Sequence, residues 1–178
     1  MTAFLFRAGA GTPGDCTRPA QSTIETGFLY APQFDTPVPT QFGAIVFAVV
    51  PPVPTGQTEF AIAQSLLTTP AADFYGILVR MAPSSAGSLD QSFGAGTPNI
   101  KNPQGIGRKG YFNVKINPGL APVERGEPVY LRLVAGGIGE NIGDIVPFLT
   151  IGESEELPGV FWAIDGYDAN NVTEIYIA

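Results

Sequence analysis

Glycine and proline interrupt this 178-residue chain so often that long helices have almost no room to form. The 22 glycines and 17 prolines together make 39 residues, about a fifth of the chain, and both residue types break helices. The stretch with helix-forming composition, around 61–67, is closed by Pro70. We therefore expect at most one short helix, within a chain whose length suits one domain with its own core.

Segments rich in β-branched and aromatic residues recur between the turn clusters, and each is the length of a strand. They lie at residues 24–30, 43–50, 58–63, 73–81, 110–116, 128–134, 144–151, 158–164 and 172–177. About nine short strands predict an all-β fold, a β-sandwich or a jelly-roll-like barrel with long loops.

The side-chain patterns within these segments indicate which faces are buried. Phe112, Val114 and Ile116 alternate with polar neighbours, which is typical of a strand with one face in the core. Residues 45–50 are apolar on both faces and predict a central strand, or one covered by another chain. The turn residues of 165–171 predict a hairpin between the last two strands.

Three stretches carry no strand pattern: residues 1–23, 31–42 and 82–106. We interpret 1–23 as an extended N-terminal arm and 24–178 as a single β domain with a long loop at 82–106. Loops of this length are usually functional or disordered. The apolar residues of the 82–106 loop predict that it docks on a partner. The alternative is a loop without a role. These apolar residues are Leu89, Phe93, Ile100 and Ile106.

Charge is sparse and uneven. Only 14% of residues are charged, which suggests that partners cover part of the surface. Residues 1–123 carry 7 basic and 6 acidic side chains, whereas residues 124–178 carry 2 and 10. This balance argues against nucleic acid and anionic membrane as partners, since both need clustered Lys and Arg. A solvated acidic face is the plainest interpretation of the C-terminal third.

The chain lacks histidine, which removes the usual nucleophile-activating base and imidazole-ligated zinc. Cys16 is the sole cysteine, so no internal disulfide forms, and we interpret it as a semi-buried structural residue. The lack of disulfides predicts that the protein is made in a reducing cytoplasm. Residues 3–6 are too short an apolar run for a signal peptide, which needs about 7 to 15. No run approaches the roughly 20 residues of a membrane span.

Two patterns resemble ligand sites without the context that such sites need. Residues 9–14 match GxGxxG by letter, but Pro13 interrupts the pattern and no helix pattern follows to hold a phosphate. Asp165, Asp168 and Asn170 are the better candidates for a weak metal site, although their order fits no EF-hand. We expect no catalytic residue, no cofactor and no metal.

A series of short blocks runs through residues 14–178 in a recognisable order. The blocks are GDCTRP at 14–19, TQFGA at 40–44, DFYGILVR at 73–80, RKGYFNVK at 108–115, VERGEPVYLR at 123–132 and LPGVFW at 157–162. Together they resemble the bacteriophage structural cement, or capsid decoration, proteins of tailed-phage heads.

The resemblance implies a non-enzymatic protein on the exterior of the phage head, made in the host cytoplasm. It implies a homo-oligomer, with a dimer favoured over a trimer, bound where major capsid subunits meet. On this interpretation residues 1–23 and 82–106 lie along the capsid. The anchors would be Phe4, Phe6, Phe93 and Ile100, with Arg7 and Arg18 pairing with capsid carboxylates.

Carbohydrate binding is the alternative function: a β-sandwich adhesion module of a virion using exposed aromatics. Tyr30, Tyr167 and Trp162 are its candidate residues, although Trp162 lies in an apolar segment that favours a core position. An enzyme would need a concave pocket with perturbed carboxylates.

Overall fold

The computed structural model describes residues 11–29, 41–49, 59–61, 74–80, 98, 103–117, 120, 122–137 and 140–178. Within these ranges nine strands follow in the predicted order, so the all-β prediction is confirmed. They are β1 Thr23–Leu29, β2 Ile45–Val49, β3 Glu59–Ala61, β4 Phe74–Val79, β5 Gln104–Lys115, β6 Pro128–Arg132, β7 Ile145–Val146, β8 Ser154–Trp162 and β9 Val172–Ile177. Among the described residues the helical element is the 3-10 turn Pro19–Gln21.

The strand pairings form two rings that share β5. Neighbours follow the order β1-β3-β2-β4-β5-β9-β8-β6-β7, and β1 also pairs antiparallel with β5, which closes the first ring. A parallel bridge between Ile116 and Ile145 brings β7 beside the end of β5 and completes the second ring. The first half of β5 pairs with β1 and β4, and its second half pairs with β9.

Two glycines allow β5 to serve both rings. A Cβ on Gly107 would lie 2.5 Å from Cζ of Phe112. The absence of a side chain at Gly107 therefore leaves room for the Phe112 phenyl group in the core. Gly110 has a φ of +114°, which side chains other than glycine rarely adopt. The ladder nevertheless continues from Lys109, which pairs with β1, to Gly110, which pairs with β9.

Side chains pack on both faces of β2 and β4. Ile45 and Phe47 join the large core cluster, which also contains Phe112 and Trp162 of the second ring. Val46 points to the smaller cluster on the other face. The prediction that this apolar segment is a central strand is confirmed. Each such fully buried side chain contributes about 1.5–3 kcal/mol.

Strand β5 begins six residues before its predicted start. Ile106, predicted as an exposed residue of the 82–106 loop, is instead fully buried in the smaller core cluster. Gly105, Gly107 and Gly110 weaken the local strand signal, and pairing with β1 and β4 overrides it. Of the predicted helix at 61–67, Ala61 lies in β3 and the remainder lies outside the described residues.

The predicted hairpin between the last two strands is confirmed. Phe161 of β8 pairs with Tyr176 of β9. In the connection, Oδ1 of Asp168 accepts hydrogen bonds from the amides of Asn170 at 2.8 Å and Val172 at 2.9 Å. This carboxylate therefore builds the turn that begins β9.

Candidate docking surfaces

Four large apolar side chains are exposed at one end of the second ring, and we call them the apolar tip: Val134, Phe148, Leu149 and Ile151. Val134 follows β6, and the other three lie between β7 and β8. The Leu133 amide donates to the Glu153 carbonyl at 2.6 Å, which holds the two segments side by side. Ile151 is 93% exposed and Leu149 is 55% exposed. Apolar side chains gathered in this way mark interaction sites.

Hydrogen bonds fix the shape of the apolar tip. The amide of Thr150 donates to Oγ of Ser154 at 2.7 Å, and the amide of Ser154 donates to the carbonyl of Thr150 at 2.9 Å. Gly152 takes a φ of +80° and lets the chain turn between them. A loop ordered before binding loses little conformational entropy when a partner covers it.

The sequence that contains the apolar tip is acidic. Residues 132–156 contain one basic side chain, Arg132, and five acidic ones. Arg132 is buried, with Nη1 lying 3.1 Å from Oε2 of Glu140 and 3.9 Å from Oε2 of Glu153. Glu156 on β8 is exposed. The tip is therefore an apolar surface within a region of net charge −4.

Residues 14–18, within the predicted N-terminal arm, lie along β5. The Gly14 amide donates to the carbonyl of Asn113 at 2.8 Å, and its carbonyl accepts from the Arg80 amide at 2.8 Å. The Thr17 amide donates to the carbonyl of Tyr111 at 3.1 Å. This part of the predicted arm is thus an added layer of the β domain.

Arg18 contacts its own chain. Its Nη2 lies 3.1 Å from Oε2 of Glu174, and its guanidinium stacks 3.8 Å from the ring centroid of Tyr111. Thr17 Oγ1 donates to the other carboxylate oxygen of Glu174. The Glu174 side chain is 9% exposed, so these two donors compensate its burial.

The other predicted anchors fall outside the part of the chain that is described. They are Phe4, Phe6, Arg7, Phe93 and Ile100. Their contact with a capsid stays a prediction, as does the pairing of Arg18 with a capsid carboxylate.

An aromatic row crosses β5, β9 and β8 on the solvent side. Tyr111 pairs with Tyr176, their ring centroids are 4.8 Å apart, and Tyr176 pairs with Phe161. All three are half-buried. With Arg125 and Gly126 they line a shallow depression of about 230 Å³.

The aromatics predicted for carbohydrate binding have other positions. Trp162 is 1% exposed in the large core cluster, as its apolar segment favoured. Tyr167 packs against that cluster and donates its hydroxyl to the carbonyl of Leu120 at 3.0 Å. Tyr30 lies outside the described residues.

A polar cluster joins β1, β4 and β5 on the first ring. The Tyr75 hydroxyl donates to Oε2 of Glu25 at 2.7 Å, and the Arg108 guanidinium stacks 3.6 Å from the Tyr75 ring centroid. The hydrogen bond to Glu25, aided by burial and by the charge of that carboxylate, raises the pKa of Tyr75. The contacts tie three strands together.

Two of the three candidate metal ligands, Asp165 and Asp168, accept hydrogen bonds from backbone amides. Oδ1 of Asp165 accepts from the amide of Arg125 at 2.8 Å, and Asp168 builds the turn before β9. Within the described ranges, no group of three or more His, Cys, Asp or Glu side chains is arranged to hold a metal ion. No helix in those ranges has the length and apolar character needed to cross a membrane.

These features define an all-β protein that exposes several large apolar side chains on a hydrogen-bonded loop. A family model described as Structural cement protein (E217 gp24/Pam3 gp6) matches residues 2–178, and the chain belongs to this phage cement family. Membership makes it a structural protein of a phage virion, as the sequence blocks indicated.

A solved structure supports the fold. A chain from "The capsid of Myoviridae Phage XM1" aligns with a TM-score of 0.63, covering 99% of this chain and 96% of that one. At 14% identity the likeness shows a shared fold. No curated protein matches the chain.

The apolar tip is not among the features that the sequence predicts. We predicted a strand over 144–151, which placed Phe148, Leu149 and Ile151 in a sheet, whereas β7 is Ile145–Val146 alone. Pro147 directly after the strand, and Gly152 three residues beyond Leu149, are the turn signals that could have separated them.

Proposed function

We propose that this protein cements a phage capsid by binding the outer surface of the expanded head and stabilising contacts between major capsid subunits. The observation that carries the proposal is the family match over residues 2–178. The shared fold with a chain from a phage capsid structure supports it.

The proposed mechanism is mechanical, with no reactive group at work. A protein that binds the expanded lattice but not its dissociated subunits stabilises that lattice by mass action. A copy that touches several subunits holds each at high effective concentration, which slows their release. Two rings of paired strands leave few open sheet edges, which suits a rigid brace.

The N-terminal arm and the 82–106 loop are proposed contacts with the major capsid protein. Their anchors are Phe4, Phe6, Arg7, Phe93 and Ile100. Arg18 would have to leave Glu174 to pair with a capsid carboxylate. We also propose that the protein is a homo-oligomer on the virion exterior, with a dimer favoured, and that it is made in the host cytoplasm.

Reconstitution tests this function. Purified protein is added to expanded phage heads that lack it, and occupancy and the temperature of head disruption are measured. We expect saturation at the stoichiometry of a lattice symmetry axis and a higher disruption temperature. Heads that take up no protein, or that gain no stability when saturated, would contradict the proposal.

A variant tests the loop separately. Residues 82–102 are replaced by a short Gly-Ser linker, which leaves β5 intact from Gln104. Reduced occupancy is expected, and full occupancy would remove the loop from the interface.

Carbohydrate binding is a second candidate, supported by the aromatic row of Tyr111, Tyr176 and Phe161. Arg18 already covers Tyr111, which leaves the other two rings as the stacking surface. A glycan array probed with the wild type and with Tyr176→Ala tests it. Binding that the substitution abolishes would support this function, and an array without signal would contradict it.

A further inference from the structure

We infer that the apolar tip docks on the major capsid protein, against an apolar patch rimmed by Lys and Arg. This inference rests on the proposed cement function and names a surface for it. The occupant is a capsid subunit and not a second copy of this chain.

The apolar tip is exposed to solvent. Phe148, Leu149 and Ile151 are exposed within four consecutive residues, and exposed Val134 follows Leu133, whose amide donates to the carbonyl of Glu153. Covering them with apolar surface removes them from water, which favours binding. The hydrogen bonds of Ser154 already order the loop, so little of this gain is lost to entropy.

Charge selects the occupant. Residues 132–156 carry a net charge of −4, whereas residues 1–123 carry +1. Two tips packed against each other would bring together two regions of net charge −4, including Glu153, which lies two residues after Ile151. Like charges at a rim disfavour such a pair, while a basic rim on a capsid subunit would speed docking and fix its orientation.

The main experiment removes the apolar tip. The triple variant Phe148→Ser, Leu149→Ser, Ile151→Ser is compared with the wild type for binding to expanded heads that lack the protein. We expect the apparent Kd to rise about tenfold or more, the change that a single interface hot spot produces. Unchanged melting and circular dichroism establish that the variant is folded.

Ile24→Ser is the matched control. Ile24 is also an exposed large apolar residue, 43% exposed, but it lies on β1 of the first ring. We expect wild-type occupancy from it. An equal loss of occupancy from the control and the triple variant would contradict a specific role for the tip.

The acidic rim has its own test. Glu153→Gln with Glu156→Gln should weaken head binding and reduce its dependence on salt, because a basic partner loses its attraction. If the tip joined two copies, the same substitutions would strengthen self-association. Sedimentation analysis that showed this strengthening would overturn the inference.

The outcomes separate the inference from the function it rests on. If the wild-type protein does not bind heads, the inference and the proposed cement function are both overturned. Wild type and triple variant that decorate equally overturn the inference alone. A triple variant that falls to monomer yet decorates heads at wild-type affinity assigns the tip to self-association and also overturns it.

Discussion

Residues 14–18 and the apolar tip differ in which side chains they pair within the chain and which they expose to solvent. The N-terminal segment brings Arg18 and Thr17 onto Glu174, so a nearly buried carboxylate is paired within the chain. The tip holds Leu149 and Ile151 out in solvent on a hydrogen-bonded loop. Stability of the isolated protein should therefore depend on the first region, and recognition of a partner on the second.

The comparison also shows why residue type is a poor guide to an interface. Arg18 has the chemistry of a docking residue, yet an intramolecular carboxylate and the Tyr111 ring occupy it. Phe148 has the chemistry of a core residue, yet it is exposed. Packing decides which groups remain for a partner.

The largest expected loss of stability comes from a substitution at Gly14, where the N-terminal segment packs against Phe42. Gly14 has a φ of +84°, and a Cβ there would lie 2.5 Å from Cβ of Phe42 and 3.0 Å from the amide nitrogen of Gly43. Gly14→Ala should lower the free energy of unfolding by about 3 kcal/mol, from backbone strain plus overpacking. Chemical denaturation measures this change.

Gly152→Ala is the control for that substitution. Gly152 has a similar φ of +80°, but a Cβ would meet nothing within 4 Å. The backbone penalty alone predicts about 1 kcal/mol. Equal losses at the two sites would mean that the N-terminal segment does not pack as tightly as these distances indicate.

The next effect concerns the burial of Glu174. Arg18→Ala leaves this nearly buried carboxylate with the Thr17 hydroxyl as its remaining side-chain partner among the hydrogen bonds described above. We expect a loss of about 1–2 kcal/mol, discounted because Arg18 is itself half-exposed.

A double-mutant cycle with Glu174→Gln isolates that pair. The cost of Arg18→Ala should shrink once the buried charge is gone. A cost that stays the same would assign the effect to the stacking of Arg18 on Tyr111 instead.

A smaller effect is expected at high pH in the first ring. The folded-state pKa of Tyr75 is raised above its ordinary value of 10.0, chiefly by the hydrogen bond to Glu25. This contact contributes stability below pH 10.0, and the contribution is lost as pH rises through the folded-state pKa. Ultraviolet absorbance of phenolate should show a late titration step that Tyr75→Phe removes.

Glu25→Gln sharpens that assignment. Removing the negative charge should return the Tyr75 step toward its ordinary range. A step that stays late in this variant would contradict Glu25 as its cause.

The smallest expected effect is on stability at the apolar tip. Ile151→Ser should change the free energy of unfolding by less than about 0.5 kcal/mol, because the side chain is 93% exposed. Thermal unfolding measures it, with Ile175→Ser in the core as the contrast. A large loss at Ile151 would mean that the tip supports the fold.

The sequence by itself determined the order of the strands and the family, but not the bounds of every strand. The alternation of Phe112, Val114 and Ile116 predicts a buried face because side chains alternate across a strand, and all three are in the core. Turn chemistry at 165–171 predicts the β8–β9 hairpin because those interactions are local. The order of the blocks indicated the cement family, which the match over 2–178 confirms.

The tertiary structure decided what contacts what over long range. The glycines in the first half of β5 lower its local strand propensity. Pairing with β1 and β4 nevertheless makes it a strand, with Ile106 in the core. Arg18 meets Glu174, 156 residues away, and Leu133 lies beside Glu153 only through pairing across β6 and β8. Local patterns follow from neighbouring residues, whereas exposure and partners depend on the packing of the whole chain.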